Sequence, residues 1–495
     1  MKFSTASLIA SALFTSAKAA ETTRTERTFS SYLPSPSQVT EDAANASTIQ
    51  WTTDVKGKVF DRFVVIWLEN TDFDQAAEQP DMAWVASQGI TLTNYWALTH
   101  PSEPNYMASI GGDYFSLDDD RFVSLPKNIS TIADLLDDKG ISFGAYQEHL
   151  PYTGFLGFNY SNQENFANDY VRKHNPFALY DSYTSNSTRL SVMKDFTNFE
   201  KDLADEKLPQ YVIITPNMTN DAHDTNIKVA GQWTRDFMTP LLKNDYFMNN
   251  TLVLITFDEN ETYGEQNTVF SILLGGAISD DLKGTTDSTF YNHYSQIASA
   301  EANWDLYHLG RNDVTANIWS SLADTVGVTN EDVDTKYLVN NETYHGYLYD
   351  DKIAIPAPNI SATNVVGNSI LPAISSVWAD EYSAQIKAGY FTSTTTLVTT
   401  GTLTNAVSIY EDVMASSTGQ SGSAKKSATI TSNSAATSTS SSDAESSKVE
   451  AASVSASSSA MASPSSLSSS KAAAAGIIPA TGVSAVAALV FALFM

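Results

Sequence analysis

Residues 252–260 read Leu-Val-Leu-Ile-Thr-Phe-Asp-Glu-Asn. Aliphatic, β-branched and aromatic side chains run unbroken to Phe257, then give way at once to two carboxylates and an amide. A continuous apolar run of this kind predicts a strand buried on both faces. Residues 63–67, 211–214 and 269–274 have the same character. They alternate with amphipathic stretches at 130–139, 230–243 and 294–307, which read as helices. The alternation predicts an α/β fold, with a mostly parallel central sheet flanked by helices. In such sheets ligands gather just beyond the carboxyl ends of the strands.

Those ends are rich in oxygen. The run at 63–67 leads into Glu69-Asn70, and 252–257 leads into Asp258-Glu259-Asn260. The run at 211–214 leads through Pro216-Asn217 to Asn220, Asp221, His223 and Asp224. A single carboxylate at such a place is ordinarily a cap or a loop residue. Three clusters at three strand ends point instead to a hard divalent cation, with Glu69, Asn70, Asp258 and Glu259 as its oxygen donors.

A second kind of chemistry sits in Thr99-His100-Pro101-Ser102-Glu103-Pro104-Asn105-Tyr106. Two prolines predict a stiff, non-helical loop. It presents His100, Ser102 and Asn105, which could serve as proton-handling group, nucleophile and amide donor, or form an ordinary turn. His100, His223 and His293 each lie in a compact polar motif and could bind a phosphoryl group or move protons at mildly acidic pH. His149, His174, His308 and His345 lie in segments without a convergent feature and read as structural or surface residues.

The chain has 495 residues and no cysteine, so a secreted product would rely on its core rather than on disulfides. Residues 1–19 read as a signal peptide: a basic start, an apolar stretch from Leu8 to Phe14, and Ala17-Lys18-Ala19 as cleavage site. Residues 20–50 form a polar, loosely ordered lead-in, and 51–395 have the composition of a catalytic domain. Residues 396–475 are a disordered Ser/Thr-rich stalk, of a composition that carries O-linked glycans. The apolar, uncharged tail 476–495 reads as a GPI-attachment signal, with a plain C-terminal membrane helix as the alternative. Asn-x-Ser/Thr sequons for N-linked glycans begin at Asn45, Asn128, Asn159, Asn186, Asn217, Asn249, Asn260, Asn341 and Asn359. A formal charge of −28 argues against nucleic acid as a partner.

Five motifs occur in order: Trp-Leu-Glu-Asn-Thr from Trp67, Thr-His-Pro-Ser-Glu-Pro-Asn-Tyr from Thr99, Pro-Asn-Met-Thr-Asn-Asp-Ala-His-Asp from Pro216, Thr-Phe-Asp-Glu-Asn from Thr256, and Tyr-Asn-His-Tyr-Ser from Tyr291. Over residues 59–311 the chain resembles the phosphoesterase family that includes fungal phosphate-repressible acid phosphatases and, more distantly, bacterial phospholipases C. The resemblance implies an alkaline-phosphatase-like sheet with metal and nucleophile at its C-terminal edge. It assigns Glu69, Asn70, Asp258 and Glu259 to the metal, Ser102 to nucleophilic attack with Thr99 in reserve, and Asn105 to a phosphoryl oxygen. Asp221, His223, Asp224 and His293 would replace or contribute to a second metal site. The two-metal pattern has an aspartate where this chain has Thr219, which leaves one metal or two open. His100 or His223 would protonate the leaving oxygen. The implied protein is a secreted, GPI-anchored, cell-surface acid phosphatase that acts on small phosphate monoesters. Alternatives are a phospholipase C-like phosphodiesterase and a noncatalytic anchored wall protein.

Overall fold

The computed structural model describes residues 32–349 and 353–388. The signal peptide at 1–19, the stalk at 396–475 and the tail at 476–495 lie outside the described residues. Part of the lead-in is more ordered than expected, since helix α1 (Pro36–Asn45) lies within it. Ser35 caps that helix by accepting from the Gln38 amide at 3.3 Å, Pro36 supplies the fixed φ of a first turn, and Val39 is buried. At its end, the Ile49 amide donates to the Ser191 carbonyl at 3.1 Å and Gln50 Nε2 to Asp205 Oδ2 at 2.8 Å. These bonds tie the lead-in to the body of the domain.

The central sheet is built from β1 (Arg62–Leu68), β2 (Gly89–Leu92), β3 (Phe143–Gln147), β4 (Met193–Lys194), β5 (Tyr211–Thr215), β6 (Thr251–Phe257), β7 (Ser271–Leu274) and β8 (Thr285–Asp287). Their order across the sheet is β8-β2-β7-β6-β1-β5-β3-β4. β1 occupies the middle, parallel to β5 from Phe63↔Tyr211 and to β6 from Arg62↔Thr251 through Leu68↔Phe257. Every residue of β1, β5 and β6 is buried, which is why these strands read as continuous apolar runs. β7 runs antiparallel to both β6 and β2, so the sheet is mixed but mostly parallel.

Flanking helices include α2 (Ser102–Gly111), α3 (Ile132–Lys139), α4 (Ile227–Leu241) and α5 (Tyr294–Trp304). Among the described residues no helix is long and apolar enough to cross a membrane. The Thr99–Tyr106 stretch is a loop only as far as Pro101, because α2 starts at Ser102. Pro104 is its third residue, where the amide would have no intrahelical partner and no preceding turn exists for the ring to strike. The two prolines therefore mark a helix start rather than a rigid loop.

Candidate active site

The carboxyl ends of β1, β5 and β6 are stitched together by backbone bonds. The Glu69 amide donates to the Asp221 carbonyl at 2.8 Å, and the Asp258 amide to the Leu68 carbonyl at 3.1 Å. Three segments distant in sequence thus present their polar residues at one edge. Ser102, the first residue of α2, donates its hydroxyl to Glu69 Oε2 at 3.2 Å and adjoins the Asp258 carboxyl. One turn later the Tyr106 hydroxyl donates to Glu69 Oε1. Asn70 Nδ2 donates to Glu259 Oε1 at 2.8 Å, and His100 Nδ1 lies 2.6 Å from Glu259 Oε2, without the alignment of a hydrogen bond.

Glu69, Asp221, Asp258 and Glu259 are all fully buried. Burial, reinforced by the carboxylates' mutual repulsion, raises the Glu69 and Glu259 groups well above the ordinary range. Burial pushes Asp258 up to about 7. Asn70 Oδ1, Asp221 Oδ2, both Asp258 side-chain oxygens and Glu259 Oε2 are buried without a hydrogen-bond partner. Leaving such oxygens unpaired is costly, and a bound cation would offset the cost. All are hard oxygen donors, so the donor set fits a hard divalent cation.

Two residues outside the expected site, His174 and Lys173, join this cluster. His174 Nε2 lies 3.2 Å from Glu69 Oε1 and its Nδ1 lies 3.4 Å from Asp221 Oδ2. Reading His174 as a structural or surface residue overlooked this position. Burial, with Lys173 nearby, holds its pKa well below the usual range. Donor atoms of Glu69, His174 and His223 all lie within 4.8 Å of one another, a grouping that could hold a metal ion. Lys173 donates to Asp120 Oδ2 at 2.8 Å and lies 3.3 Å from His223 Nε2. Burial lowers its pKa, but Asp120 and Glu69 outweigh that and hold it charged. Asp120 also accepts from the Glu103 amide at 2.9 Å, which ties the lysine to the first turn of α2. The signal available in the sequence was Arg172-Lys173-His174, three successive basic residues in a strongly acidic chain.

The remaining expected residues divide. His223 is half-exposed, with Nδ1 2.8 Å from Asp224 Oδ1, and Asp224 also accepts from Asn168 at 2.8 Å. Asp221 Oδ1 accepts from the His223 amide at 2.8 Å. Asn105 takes a different part from the expected phosphoryl contact. Its Oδ1 accepts from the Leu98 amide at 2.9 Å, and its Nδ2 donates to the carbonyls of Thr99 at 2.8 Å and Pro101 at 3.2 Å. Both ends of the amide are used to clamp the turn that presents Ser102. His293 is fully buried, with Nε2 2.7 Å from the Asp258 carbonyl and Nδ1 3.2 Å from the Tyr95 hydroxyl. It braces the Asp258 backbone from behind, where burial pushes its pKa down to about 4. Thr99 Oγ1 lies 2.7 Å from Thr343 Oγ1, so of the two candidate nucleophiles only Ser102 meets the carboxylates.

The sequence model of the Phosphoesterase family matches residues 75–307. A probable acid phosphatase of Kluyveromyces lactis is 60% identical over 372 residues, which cover 75% of this chain and 88% of the relative. A phosphate-repressible acid phosphatase of Penicillium chrysogenum is 52% identical over 347 residues, covering 69% of this chain and 82% of the relative. Among solved structures, an alkaline phosphatase superfamily protein of Vibrio parahaemolyticus aligns at a TM-score of 0.34 and 11% identity, covering 55% of this chain and 76% of that one.

Proposed function

This chain belongs to the phosphoesterase family of the fungal acid phosphatases, and from that premise we propose that it hydrolyses phosphate monoesters through Ser102 and a divalent cation held by Glu69, Asn70, Asp258 and Glu259. The observation that carries the reading is the Ser102 hydroxyl, 3.2 Å from Glu69 at the first residue of a ten-residue helix. Free amides and the positive end of the helix dipole favour negative charge there. Ser102 Oγ attacks phosphorus as its proton leaves to water; the Oγ–P bond forms and the ester P–O bond breaks. A cation held by Glu69, Asn70, Asp258 and Glu259 would supply positive charge that eases loss of the Ser102 proton and offsets the charge of the phosphoryl group. Lys173 adds positive charge beside the phosphoryl group. His223, oriented by Asp224, protonates the departing oxygen; burial and Lys173 lower its pKa, as burial lowers that of His100 to about 4, and it is favoured on geometry, being exposed where His100 is buried against Glu259. Water then hydrolyses the phosphoserine.

Purified, metal-replete protein is expected to release phosphate from an aryl phosphate between about pH 4 and 7. No release with any added divalent ion would overturn the reading.

We further propose that the enzyme is secreted, glycosylated and held at the cell surface by a GPI anchor, a reading supported by residues 1–19, the stalk and the tail 476–495. Asn45, Asn159, Asn186 and Asn249 are exposed, whereas Asn217 and Asn260 are buried at the site. Glycopeptide mass spectrometry of surface protein freed by a phosphatidylinositol-specific phospholipase is expected to find glycans on members of the exposed set and none on Asn217 or Asn260. Failure of the lipase to free the protein would remove the anchor, and a glycan on either buried asparagine would contradict its placement.

A further inference from the structure

Tyr263 stands at the outer edge of the site, and we propose that its free face is a subsite for a planar, uncharged aromatic leaving group, which makes aryl phosphate monoesters a favoured substrate class. The proposal rests on the reading of Ser102 and its carboxylates as the phosphoryl-transfer centre. Tyr263 lies in the segment that follows β6, a few residues beyond Asp258 and Glu259. Its ring lies over that of His100, with centroids 3.8 Å apart and planes inclined by 30°. His100 Nδ1 in turn lies 2.6 Å from Glu259 Oε2, so the phenol stacks directly on a residue of the site.

A single exposed aromatic residue ordinarily needs no explanation. Two observations set this one apart. First, Tyr263 remains 59% exposed although one face is stacked, which leaves ring surface open beside the reacting centre. Second, the segment carrying it is fastened to the end of β1. Asp72 Oδ1 accepts from the amides of Glu261 at 3.0 Å and Thr262 at 2.8 Å, and Asp72 Oδ2 accepts from the Thr262 hydroxyl at 2.6 Å. Gly264 then turns the chain with φ of +104°. The ring is therefore presented before any ligand arrives, which reduces the ordering cost of stacking against it.

Charge narrows the class. Glu261 and Glu265 flank Tyr263 and are exposed, and the whole chain carries a formal −28. Lys336, on the segment that meets Gln266, lies over the Tyr337 ring at 4.9 Å. An acidic surround opposes leaving groups that bear further phosphates and leaves uncharged rings unpenalised.

The test compares wild type, Tyr263→Phe and Tyr263→Ala on phenyl phosphate and on glycerol phosphate. Inhibition constants are measured alongside for phenylphosphonate and inorganic phosphate. Tyr263→Ala is expected to lose about 3- to 10-fold more kcat/KM on phenyl phosphate than on glycerol phosphate, the size of one aromatic stack. The inhibition constant of phenylphosphonate should rise by a similar factor relative to that of inorganic phosphate, and Tyr263→Phe should restore both preferences. Equal losses on the two substrates, or none, would overturn the subsite, because a residue that merely shields His100 makes no distinction between leaving groups. Failure of inorganic phosphate to inhibit wild type would instead overturn the reading of the centre itself.

Discussion

Ser102→Ala is expected to lower kcat for phosphate monoesters by at least about 10³-fold, with the folded state retained. The size follows from what the hydroxyl does. It is the one candidate nucleophile that touches the buried carboxylates, through its 3.2 Å bond to Glu69. Water could replace it only in a space shaped for a side chain 1% exposed. The fold should survive because alanine is a good helix former and only one side-chain hydrogen bond is lost, worth about 1 kcal/mol. Thr99→Ala is the contrasting variant. Its hydroxyl faces Thr343 rather than Glu69, so turnover should stay within about 3-fold of wild type, which costs under about 1 kcal/mol in barrier height. Rates of phosphate release and melting temperatures of both variants decide the matter. Near-normal turnover by Ser102→Ala would remove the serine from the mechanism, and a collapse in Thr99→Ala alone would transfer the role.

Legibility in the sequence followed how strongly burial constrained each segment. β1, β5 and β6 are covered on both faces, so continuous apolar runs at 63–67, 211–214 and 252–257 located them. β3 is equally buried but reads Phe-Gly-Ala-Tyr-Gln, whose small residues break the run. Gly144 is required there because a Cβ would stand 2.9 Å from the Val192 carbonyl oxygen. β8 reads Thr-Thr-Asp at the edge of the sheet and carries almost no apolar signal. At the site, residues that follow a recognisable strand directly, such as Glu69 and Asp258, were legible. His174 belongs to a short 3-10 turn preceded only by the two-residue strand Tyr170–Val171, too short to show as an apolar run, and only the fold brings it to Glu69. Asn105 and His293 show the converse: the residue types suit catalysis, yet Asn105 bonds to the backbone at both ends of its amide and His293 to the Asp258 carbonyl and the Tyr95 hydroxyl. Periodicity and motif spacing carry no information about which way a side chain turns.

Removing the metal is expected to reverse the pH dependence of stability. In the metal-free protein, burial raises Glu69, Asp221 and Glu259 well above their ordinary values and Asp258 to about 7. Unfolded carboxyls titrate near 4. Between these limits the folded chain holds more protons than the unfolded chain, so unfolding free energy falls as pH rises. The favourable contribution is complete below about pH 4 and is lost progressively toward pH 7 and above. With a cation bound, the carboxylates are held ionised and the sign inverts: stability is lost as acid displaces the cation by protonating its ligands. Chelator-treated and metal-loaded samples should therefore melt at similar temperatures near pH 4 and diverge steadily toward pH 8, the chelated form falling. Parallel curves would sink the idea that these acids form a cation site. Asp258→Asn sharpens the test. The amide removes one charge from a cluster in which Glu69, Asp221 and Glu259 are already crowded and buried, so metal-free Asp258→Asn should melt above metal-free wild type at pH 8. The same variant should lose about 10²-fold or more in activity, since the charge that destabilises the empty cluster is the charge that holds the cation. Opposite changes in stability and turnover from one substitution separate a binding cluster from an ordinary structural network, where both would fall together.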